Sequence, residues 1–362
     1  MRSDDFASPH LYNARNVLPG NPISLTSAEQ RMVRASLLRW FAGHHRPLPW
    51  RQGRDPYRIW ISEIMLQQTR VGAVLEHYAE FLRRFPDLHS LAAARAHDVL
   101  AAWSGLGYYR RARALHRAAR LIVRDHGGNL PDNAEALQSL PGIGRYTASA
   151  IASIAFHQPC AVVDGNVERV LRRLLGWRKQ PLSQIWNAAQ QLLSRRSPGN
   201  FNQAMMELGA LVCLPVSPRC EVCPVSRLCA TRGPLQRPAK PPRQTAEIAY
   251  GLAARDDRVY LVRRGRHESL MPGMWELPQL SNGDCAGNGA DGALHLPGFG
   301  GCGSLKPDFT LRHSITVTDH TVHVCRVPTA GQRGGRWFPL QDAPALPLTG
   351  LARRILRRAA LI

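Results

Sequence analysis

Four closely spaced cysteines are candidate ligands of a metal site. Cys213, Cys220, Cys223 and Cys229 follow the pattern C-x6-C-x2-C-x5-C, whereas the other cysteines of the chain are scattered. In a reducing compartment, a dense group of this kind is more typical of a metal site than of disulfide bonds. Thiolate sulfur suits zinc or an iron–sulfur cluster, and four ligands complete either site. On the residues alone both remain candidates.

Two carboxyl groups lie at positions where one could act as a general acid and the other could stabilise a positive charge. Glu63 falls in the predicted helix Tyr57–Thr69 among bulky apolar residues, which indicates a buried helix, although a mid-helix Glu is more often exposed. Burial would raise the pKa of this carboxyl by desolvation. Asp164 immediately precedes the predicted helix Val167–Leu175, where the simplest interpretation is an N-cap. A carboxylate at a helix N-terminus stays ionised, so it could also stabilise a developing positive charge.

A glycine-containing turn joins two of the predicted helices. The segment LPGIGRYTASAIASIA at 140–155 places Gly142 and Gly144 between a short helix from Ala134 and a second helix. Together they predict a helix–hairpin–helix, in which glycines let backbone N–H groups approach a phosphate. A Gly-x-Gly pair is by itself a weak signal, since most are simply tight turns.

The charge balance indicates a polyanionic partner. The 362 residues suffice for two domains, and 47 Lys and Arg against 26 Asp and Glu give a net charge of +21, almost all from arginine. The longest apolar stretch, 148–156, is far shorter than the roughly 20 residues of a membrane span. The first residues also lack the apolar core of a secretory signal. We therefore expect no membrane span and a cytoplasmic, nucleoid-associated protein.

Short helices separated by proline and glycine dominate the first two thirds of the chain. The first begins at the N-cap candidates Thr26 and Ser27, and its apolar face is predicted to contain Met32, Leu37, Leu38, Trp40 and Phe41. Further helices are predicted over Tyr57–Thr69, Val71–Phe85, Leu91–Trp103, Arg110–His126, Ala134–Leu140, Tyr146–Phe156, Val167–Leu175, Gln184–Leu193 and Phe201–Val212. This part is therefore expected to be all-α.

Composition changes after Cys229. A proline-rich basic stretch is predicted to be an extended linker, and β-rich segments with alternating hydrophobicity follow it. The expected organisation is a flexible tail, an all-α domain, the linker and an α+β domain, over residues 1–25, 26–232, 233–247 and 248–362. Strands are predicted over Ile248–Ala253, Arg258–Arg263, Phe309–Val317 and Thr321–Arg326, with a loose glycine-rich loop over Ser281–Gly303 and a final helix over Leu351–Ala360.

Two further segments carry a family resemblance. LPWRQGRDPYRIWISEIMLQQTRV at 48–71 and GLGYYRRARALH at 105–116 closely resemble the MutY family of adenine DNA glycosylases. The resemblance extends from about Ser36 to Cys229 and, more weakly, into the C-terminal domain. It implies an N-terminal all-α helix–hairpin–helix glycosylase fold related to endonuclease III, and a C-terminal α+β Nudix-like domain. It also favours a structural [4Fe–4S] cluster over zinc on the four cysteines.

The resemblance implies roles for the two carboxylates and their neighbours. Glu63 would protonate adenine N7 and help to activate water, while Asp164 would face the deoxyribose C1′ of an extruded nucleotide. Tyr146 and Asn166 would order the pocket around them. Gln203 matches a position that contacts the adenine edge, although it could equally be a helix-surface amide.

Other positions match residues that handle the DNA. Pocket-entry positions fall on Arg46, Leu48 and Arg51, and positions that wedge into the base stack fall on Gln68 and Tyr108. The hairpin glycines Gly142 and Gly144 would bind the DNA backbone without reading its sequence. The implied partner is duplex DNA with adenine opposite 8-oxoguanine or G, bound by a monomer.

Lysine scarcity bears on the reaction type. Bifunctional relatives attack C1′ with a lysine on the helix after the hairpin, and here Tyr146 holds that place. The only lysines are Lys179, Lys240 and Lys306. We therefore expect a monofunctional enzyme that leaves an abasic site.

The C-terminal segments 261–280 and 312–324 resemble the Nudix-related domain that inspects 8-oxoguanine, without the glutamate-rich Mg²⁺ box of the hydrolases. The family commonly has a Phe-Ser-His triplet where this chain has Ile315, Thr316 and Val317. Thr316 retains a hydroxyl, and His313 or His320 could replace the missing histidine. Discrimination between 8-oxoguanine and guanine is therefore expected to be altered.

Two alternatives belong to different functional classes. A glycosylase acting on T:G mismatches can also have Tyr after the hairpin, but thymine offers no N7 for Glu63 to protonate. A non-catalytic DNA-binding protein would use the hairpin and the cluster only as scaffold, which the presence of both carboxylates disfavours.

Overall fold

The computed structural model describes residues 25–233, 243–280 without 266 and 269, 307–327 without 316, and 335–362. The predicted tail up to residue 24, most of the linker, the glycine-rich loop and Thr316 lie outside the described residues. The chain divides into two compact units. The first unit comprises residues 1–64 and 129–237, and the second comprises residues 65–128 and 238–362. The predicted domain boundaries remain predictions about how the chain is organised.

Residues 25–233 are helical, as the sequence predicts. Their α-helices are α1 (Ser27–His44), α2 (Pro56–Leu66), α3 (Val71–Arg84), α4 (Leu88–Ala93), α5 (Ala96–Ala102), α6 (Arg110–His126), α7 (Ala134–Gln138), α8 (Arg145–Phe156), α9 (Gly165–Leu175), α10 (Leu182–Leu192) and α11 (Pro198–Leu211). Single 3-10 turns occur at Pro49–Arg51, Cys220–Val222 and Ser226–Leu228.

Helix α1 shows why these elements form where they do. Thr26 and Glu29 make a reciprocal capping box, which satisfies backbone N–H groups at the first turn. The buried face carries Val33, Leu37 and Phe41, which follow one another at four-residue spacing. The predicted placement of Met32 on this face is wrong, because its side chain is 56% exposed.

The single helix predicted over Leu91–Trp103 is also wrong. The structure has two helices there, α4 and α5, because Ala94 and Arg95 adopt extended backbone conformations. The Arg95 guanidinium then pairs with Asp98 in the first turn of α5, with Nε 2.8 Å from Oδ2. A carboxylate in that first turn is favoured by the helix dipole.

Besides α3–α6, the second unit contains one mixed sheet, one antiparallel sheet and one more helix. The strands are β1 (Gln244–Leu252), β2 (Ala254–Arg255), β3 (Arg258–Arg263), β4 (Trp275–Glu276), β5 (Gln279–Leu280), β6 (Phe309–Ile315), β7 (Thr318–Arg326) and β8 (Gly335–Pro339), and the helix is α12 (Gly350–Arg358). One sheet has the order β5-β1-β7-β6 with β1 and β7 parallel. In the other, β3 pairs with β2, β4 and β8. The predicted α+β class is confirmed.

Each unit has its own core. In the first, Leu171, Ile185, Leu192 and Phe201 are among the buried residues that join α9, α10 and α11. In the second, the apolar face of α12 packs on side chains such as Leu261 and Val322 from the sheets. In the described ranges, no helix combines the length and the hydrophobicity needed to cross a membrane.

Candidate active site

Glu63 lies in the middle of α2 and is only 6% exposed, as its apolar neighbours predict. Within the described residues its Oε2 atom has no hydrogen-bond partner. Burial, helped by the negative charge of Asp164, raises the pKa of Glu63 to about 7, although Tyr146 and Arg51 act in the opposite direction. This carboxyl can therefore hold a proton near neutral pH and give it up, as a general acid requires.

Tyr146 occupies the first turn of α8 and interacts with Glu63. Burial, together with the negative charges of Glu63 and Asp164, raises its pKa well above the usual range. The phenol therefore stays protonated and serves as a hydrogen-bond donor. In the structure its hydroxyl donates to Met206 Sδ at 3.2 Å.

Asp164 is the N-cap of α9, as the sequence predicts. Its Oδ1 accepts hydrogen bonds from the backbone N–H groups of Asn166 at 2.9 Å and Val167 at 2.7 Å. The Asn166 side chain donates to Oδ2 at 3.1 Å. These donors fix the carboxylate at the helix N-terminus.

Asn166 is held in turn by α11 and by Arg169. Arg169 Nη2 donates to Asn166 Oδ1 at 2.8 Å and to the carbonyl of Gly209 at 2.7 Å, and its Nε donates to the carbonyl of Cys213 at 2.8 Å. Gly209 allows this close approach, because a Cβ there would lie 2.6 Å from Asn166 Cβ. One arginine thus connects the Asp164 cap with the start of the cysteine-bearing segment.

Arg46 and Arg51 pair with Glu207, a residue that was not predicted from the sequence. Arg46 Nη2 and Arg51 Nη2 lie 2.7 and 2.9 Å from Glu207 Oε2, and the Arg46 backbone N–H donates to Oε1 at 2.8 Å. Burial alone would raise the pKa of Glu207, but the hydrogen bonds from both arginines lower it to about 2. The signal that identified Glu63, a carboxyl with apolar neighbours in a predicted helix, is present at Glu207 too.

A cavity of about 350 Å³ lies beside this ion pair. Arg51 and Gln203 contribute to its lining, together with Leu38, Phe41, Ala42, His45, Ser197 and Asn200. Gln203 and the Arg51 guanidinium therefore line the same cavity. Leu48, the third predicted entry residue, is 6% exposed and belongs to the core.

The predicted helix–hairpin–helix corresponds to α7, a tight turn and α8. Gly142 has a φ of +80°, a left-handed conformation that favours glycine. Gly144 is the N-cap of α8, and a Cβ there would meet nothing within 4 Å. Between them, Ile143 is buried at 4% exposure and anchors the turn. Both glycines are exposed, so the backbone of this turn is open to a ligand.

Gln68 and Tyr108 belong to the second unit, whereas Glu63 and Asp164 belong to the first. Both have left-handed backbones, with φ values of +54° and +48°, and the Tyr108 side chain is 57% exposed. Such conformations cost of order 1–3 kcal/mol for residues other than glycine and persist only where neighbours impose them.

Arg111 supplies that constraint for both residues. Its guanidinium donates to the carbonyl of Met65 at 2.9 Å and to Thr69 Oγ1 at 3.0 Å, on either side of Gln68. It also donates to the carbonyls of Leu106 and Gly107, both at 3.2 Å, just before Tyr108. The same guanidinium lies over the Tyr108 ring, 5.3 Å from its centre. Arg111 is not among the residues predicted from the sequence.

The four clustered cysteines line one small cavity in the first unit. In the described part of the chain, no three His, Cys, Asp or Glu side chains are arranged to hold a single metal ion. Buried Arg173 donates to Cys213 Sγ at 3.2 Å and to the carbonyl of Leu214 at 2.6 Å. Burial, with a smaller contribution from the negative charges of the other three cysteines, raises the pKa of Cys223 to about 11.

The predicted lesion-reading residues lie on the β6–β7 hairpin. Thr316 is outside the described residues, whereas Ile315 is the last residue of β6. His313 and His320 are directly opposite each other in the antiparallel pair. They therefore lie together, three to four residues from the predicted Thr316 position.

Comparisons with known proteins agree with these features. Residues 61–195 match the model of the HhH-GPD superfamily of base excision DNA repair proteins. The chain is 48% identical over 219 residues to the adenine DNA glycosylase of Homo sapiens, an alignment that covers 57% of this chain and 40% of that protein. The chain thus spans about two fifths of the length of this curated relative.

Two solved structures are also similar to part of this chain. A thermostable thymine-DNA glycosylase has a TM-score of 0.52 and 30% identity, over 56% of this chain and 96% of that chain. Endonuclease III in a non-covalent DNA complex has a TM-score of 0.50 and 24% identity over 57% and 96%, which is a likeness of fold. The chain therefore belongs to the HhH-GPD superfamily of base excision DNA repair proteins, and over 219 residues it is similar to an adenine DNA glycosylase.

Proposed function

We propose that this chain is a monofunctional adenine DNA glycosylase that acts on adenine opposite 8-oxoguanine or G in duplex DNA. The observation that carries the proposal is the pair Glu63 and Asp164, whose environments differ in the way the reaction needs. One carboxyl is buried with a pKa of about 7, and the other is fixed at a helix N-terminus. The similarity to adenine DNA glycosylases supports this assignment.

The reaction breaks the bond between C1′ and N9 of an adenine that has been extruded from the helix. Adenine is a poor leaving group unless a ring nitrogen is protonated. In our proposal the protonated Glu63 gives its proton to N7. The base then takes the electron pair of the breaking C1′–N9 bond and leaves as neutral adenine. Glu63 is then a carboxylate and can accept a proton from the attacking water.

Asp164 would stabilise the positive charge that develops at C1′ as the bond breaks. Three hydrogen bonds hold its carboxylate in place, so little reorganisation is needed during the reaction. Water oxygen then forms the new bond to C1′, and one water proton moves to Glu63. The products are free adenine and an abasic site.

The surrounding residues would hold the base and the acid. Tyr146 donates a hydrogen bond within the pocket, and Arg51 and Gln203 line the adjacent cavity where an adenine edge could bind. Glu207 fixes Arg46 and Arg51, of which Arg51 lines this cavity. Gln68 and Tyr108 would fill the space that the extruded base leaves.

The absence of a suitable amine supports a monofunctional reaction. Residues 1–178 contain no lysine, and the position after the hairpin is Tyr146. A phenol whose pKa lies well above the usual range is a weak nucleophile at neutral pH. Hydrolysis by water therefore fits this site better than attack by a protein side chain.

The raised pKa of Glu63 also favours adenine over thymine. A thymine-DNA glycosylase is among the similar structures, but thymine has no basic N7 that a carboxylic acid could protonate. A purely DNA-binding role would not explain why the Glu63 carboxyl is buried with an oxygen that has no hydrogen-bond partner in the described residues. We therefore prefer adenine removal to both alternatives.

Duplex DNA is the proposed partner of a monomeric protein. The open backbone at Gly142 and Gly144 would contact a phosphate, and the Nudix-like α+β part would inspect the base opposite adenine, with Thr316 near it. The net charge of +21 supports binding to a polyanion.

We also propose a [4Fe–4S] cluster on Cys213, Cys220, Cys223 and Cys229. Four cysteine thiolates are the ligand set that such a cluster takes. This fits four cysteines that line one cavity without forming a single-ion site in the described residues. When bound, the cluster would supply a structural centre for the segment that Arg169 and Arg173 hold.

The activity is tested by incubating the protein with duplex DNA that carries A opposite 8-oxoguanine. Adenine should be released, with strand breakage only after alkali; strand cleavage without alkali would contradict a monofunctional reaction. Asp164→Asn should reduce release at least a thousandfold while DNA binding is retained. Asp87→Asn is the matched control, because Asp87 caps α4 in the same way. Equal activity of Asp164→Asn and wild type would refute the assignment.

The cluster is tested by absorption spectroscopy with iron and sulfide analysis of anaerobically purified protein. The broad charge-transfer absorption of iron–sulfur centres should be present and should be lost in Cys223→Ser. Cys160→Ser should retain it, since Cys160 is a partly buried cysteine outside the group. Stoichiometric zinc without iron would instead support a zinc site.

A further inference from the structure

Two adjacent arginines of α12 contact different segments of the second unit. Arg353 Nε donates to Ser104 Oγ at 2.9 Å, in the loop that follows α5. Arg354 Nη1 donates to the carbonyl of Arg312 on β6. Strand β6 leads into the hairpin with β7, and the Ser104 loop leads to Tyr108. One helix therefore touches both the hairpin and the loop that carries Tyr108.

The residue before the α12 N-cap binds the Tyr108 loop a second time. The carbonyl of Leu348 accepts hydrogen bonds from Ser104 Oγ at 3.1 Å and from the Tyr109 hydroxyl at 2.9 Å. Ser104 and Tyr109 are 5% and 3% exposed, so water cannot easily replace these bonds. The loop is thus fastened at both ends, and Tyr108 projects from it between the two attachments.

These polar contacts are not what holds α12 in the fold. Leu351, Ile355 and Leu356 are at most 4% exposed and pack in the core of the second unit. Burial of these three apolar side chains holds the helix in position. The two arginines stand on the opposite face and can be changed without removing this anchor.

We propose that α12 couples the β6–β7 hairpin to Tyr108, so that the base opposite adenine influences base extrusion through Arg354 and Arg353. The inference rests on the proposed function, in which the hairpin part inspects that base and Tyr108 fills the vacated stack. Arg353, Arg354, Ser104 and Tyr109 are positioning residues in this scheme. Tyr108 needs such support because its left-handed backbone is imposed by its surroundings.

The test compares single-turnover adenine release opposite 8-oxoguanine and opposite G. Wild type should react faster opposite 8-oxoguanine. Arg353→Ala and Arg354→Ala should each lower the ratio of the two rates about tenfold, the effect of losing one charge-assisted hydrogen bond worth about 1.4 kcal/mol. The double variant should lower the ratio no further, because both residues belong to one path.

Two further variants keep the outcome interpretable. Tyr109→Phe removes only a hydroxyl and should also lower the ratio, which covers the case in which Arg353→Ala folds poorly. Arg358→Ala, an exposed arginine on the same helix, should leave the ratio unchanged. Equal losses on both substrates would show a merely structural role, and additive losses would show separate paths; either result overturns the coupling. A wild-type protein that releases no adenine would instead refute the proposed function itself.

Discussion

The Glu207 carboxylate accepts a hydrogen bond from Arg51 at 2.9 Å, although 156 residues separate the two in the chain. Glu207 is 1% exposed and also pairs with Arg46. One buried negative charge therefore orients two guanidinium groups next to the cavity that Gln203 lines. Their positions depend on α11, which carries Glu207, rather than on their own segment.

Removing this charge should destabilise the protein. Glu207→Gln leaves two partly buried guanidinium groups without their carboxylate, which we expect to lower the free energy of unfolding by about 3–5 kcal/mol at pH 7. The control is Glu76→Gln, an exposed residue of α3, which should change stability by less than about 0.5 kcal/mol. Denaturant unfolding measures both.

The pH dependence of that loss gives its cause. The pKa of Glu207 is lowered to about 2 in the fold, so its contribution is present above the ordinary carboxyl pKa and disappears as the pH falls toward 2. The difference between wild type and Glu207→Gln should therefore shrink between about pH 4.5 and 2. A difference that stays constant over this range would argue for a packing effect.

The rate of adenine release should fall at alkaline pH. With a pKa of about 7, Glu63 loses its proton above neutrality, so the single-turnover rate should decrease about tenfold per pH unit there. Glu63→Gln should abolish release at every pH. A rate that is flat from pH 7 to 9 would contradict the role of Glu63 as the acid.

The raised pKa of Glu63 should also make the free energy of unfolding depend on pH. A raised pKa in the fold means that Glu63 favours folding below its ordinary pKa and that this advantage is lost as the pH rises to about 7. Glu63→Gln should therefore become more stable than wild type above pH 7, by up to about 3 kcal/mol. Unfolding curves at pH 5 and 8 test the sign.

Arg111→Lys should impair base extrusion. Lysine keeps the charge but cannot reach Met65, Thr69 and Leu106 at once, so the left-handed turns at Gln68 and Tyr108 lose their common support. We expect about a tenfold lower rate and a loss of stability of about 2 kcal/mol. Fluorescence of 2-aminopurine in place of the target adenine would report extrusion directly.

The neighbouring residue provides a matched control for this substitution. Arg110→Lys changes an exposed arginine in the same helix and should leave both rate and fluorescence unchanged. If the two variants behave alike, Arg111 does not position the wedge residues.

Gly209→Ala should displace Asn166 from Asp164. The added Cβ would lie 2.6 Å from Asn166 Cβ, so the contact between α9 and α11 must open at a cost of about 1–3 kcal/mol. Gly72→Ala in α3 meets nothing within 4 Å and should be neutral or slightly stabilising. Unfolding and adenine release are the measurements, and retention of full activity by Gly209→Ala would contradict the proposed importance of the Asn166 contact.

The sequence was a good guide to local structure for a physical reason. The capping box at Thr26, the N-cap at Asp164 and the burial of Glu63 depend on neighbours within a few positions, and each is found. Two predictions were wrong, because hydrophobic periodicity alone does not fix where a helix ends or how wide its buried face is. Ala94 and Arg95 break a helix that periodicity alone would continue, and Met32 points to solvent beside a buried Val33.

The amino-acid sequence by itself determined the helices, the two carboxylates, the hairpin glycines and the cysteine spacing, because these are set by short-range patterns. Only the tertiary structure decided that Glu207 holds Arg51, that Arg111 supports both Gln68 and Tyr108, and that α12 touches Ser104 and Arg312. Apart from the bond between Arg111 and Gly107, these hydrogen bonds join residues 42 to 249 positions apart. No local pattern of hydrophobicity or spacing specifies such partners. An arginine can pair with many acceptors, and the packing of the folded chain decides which of them lies within reach.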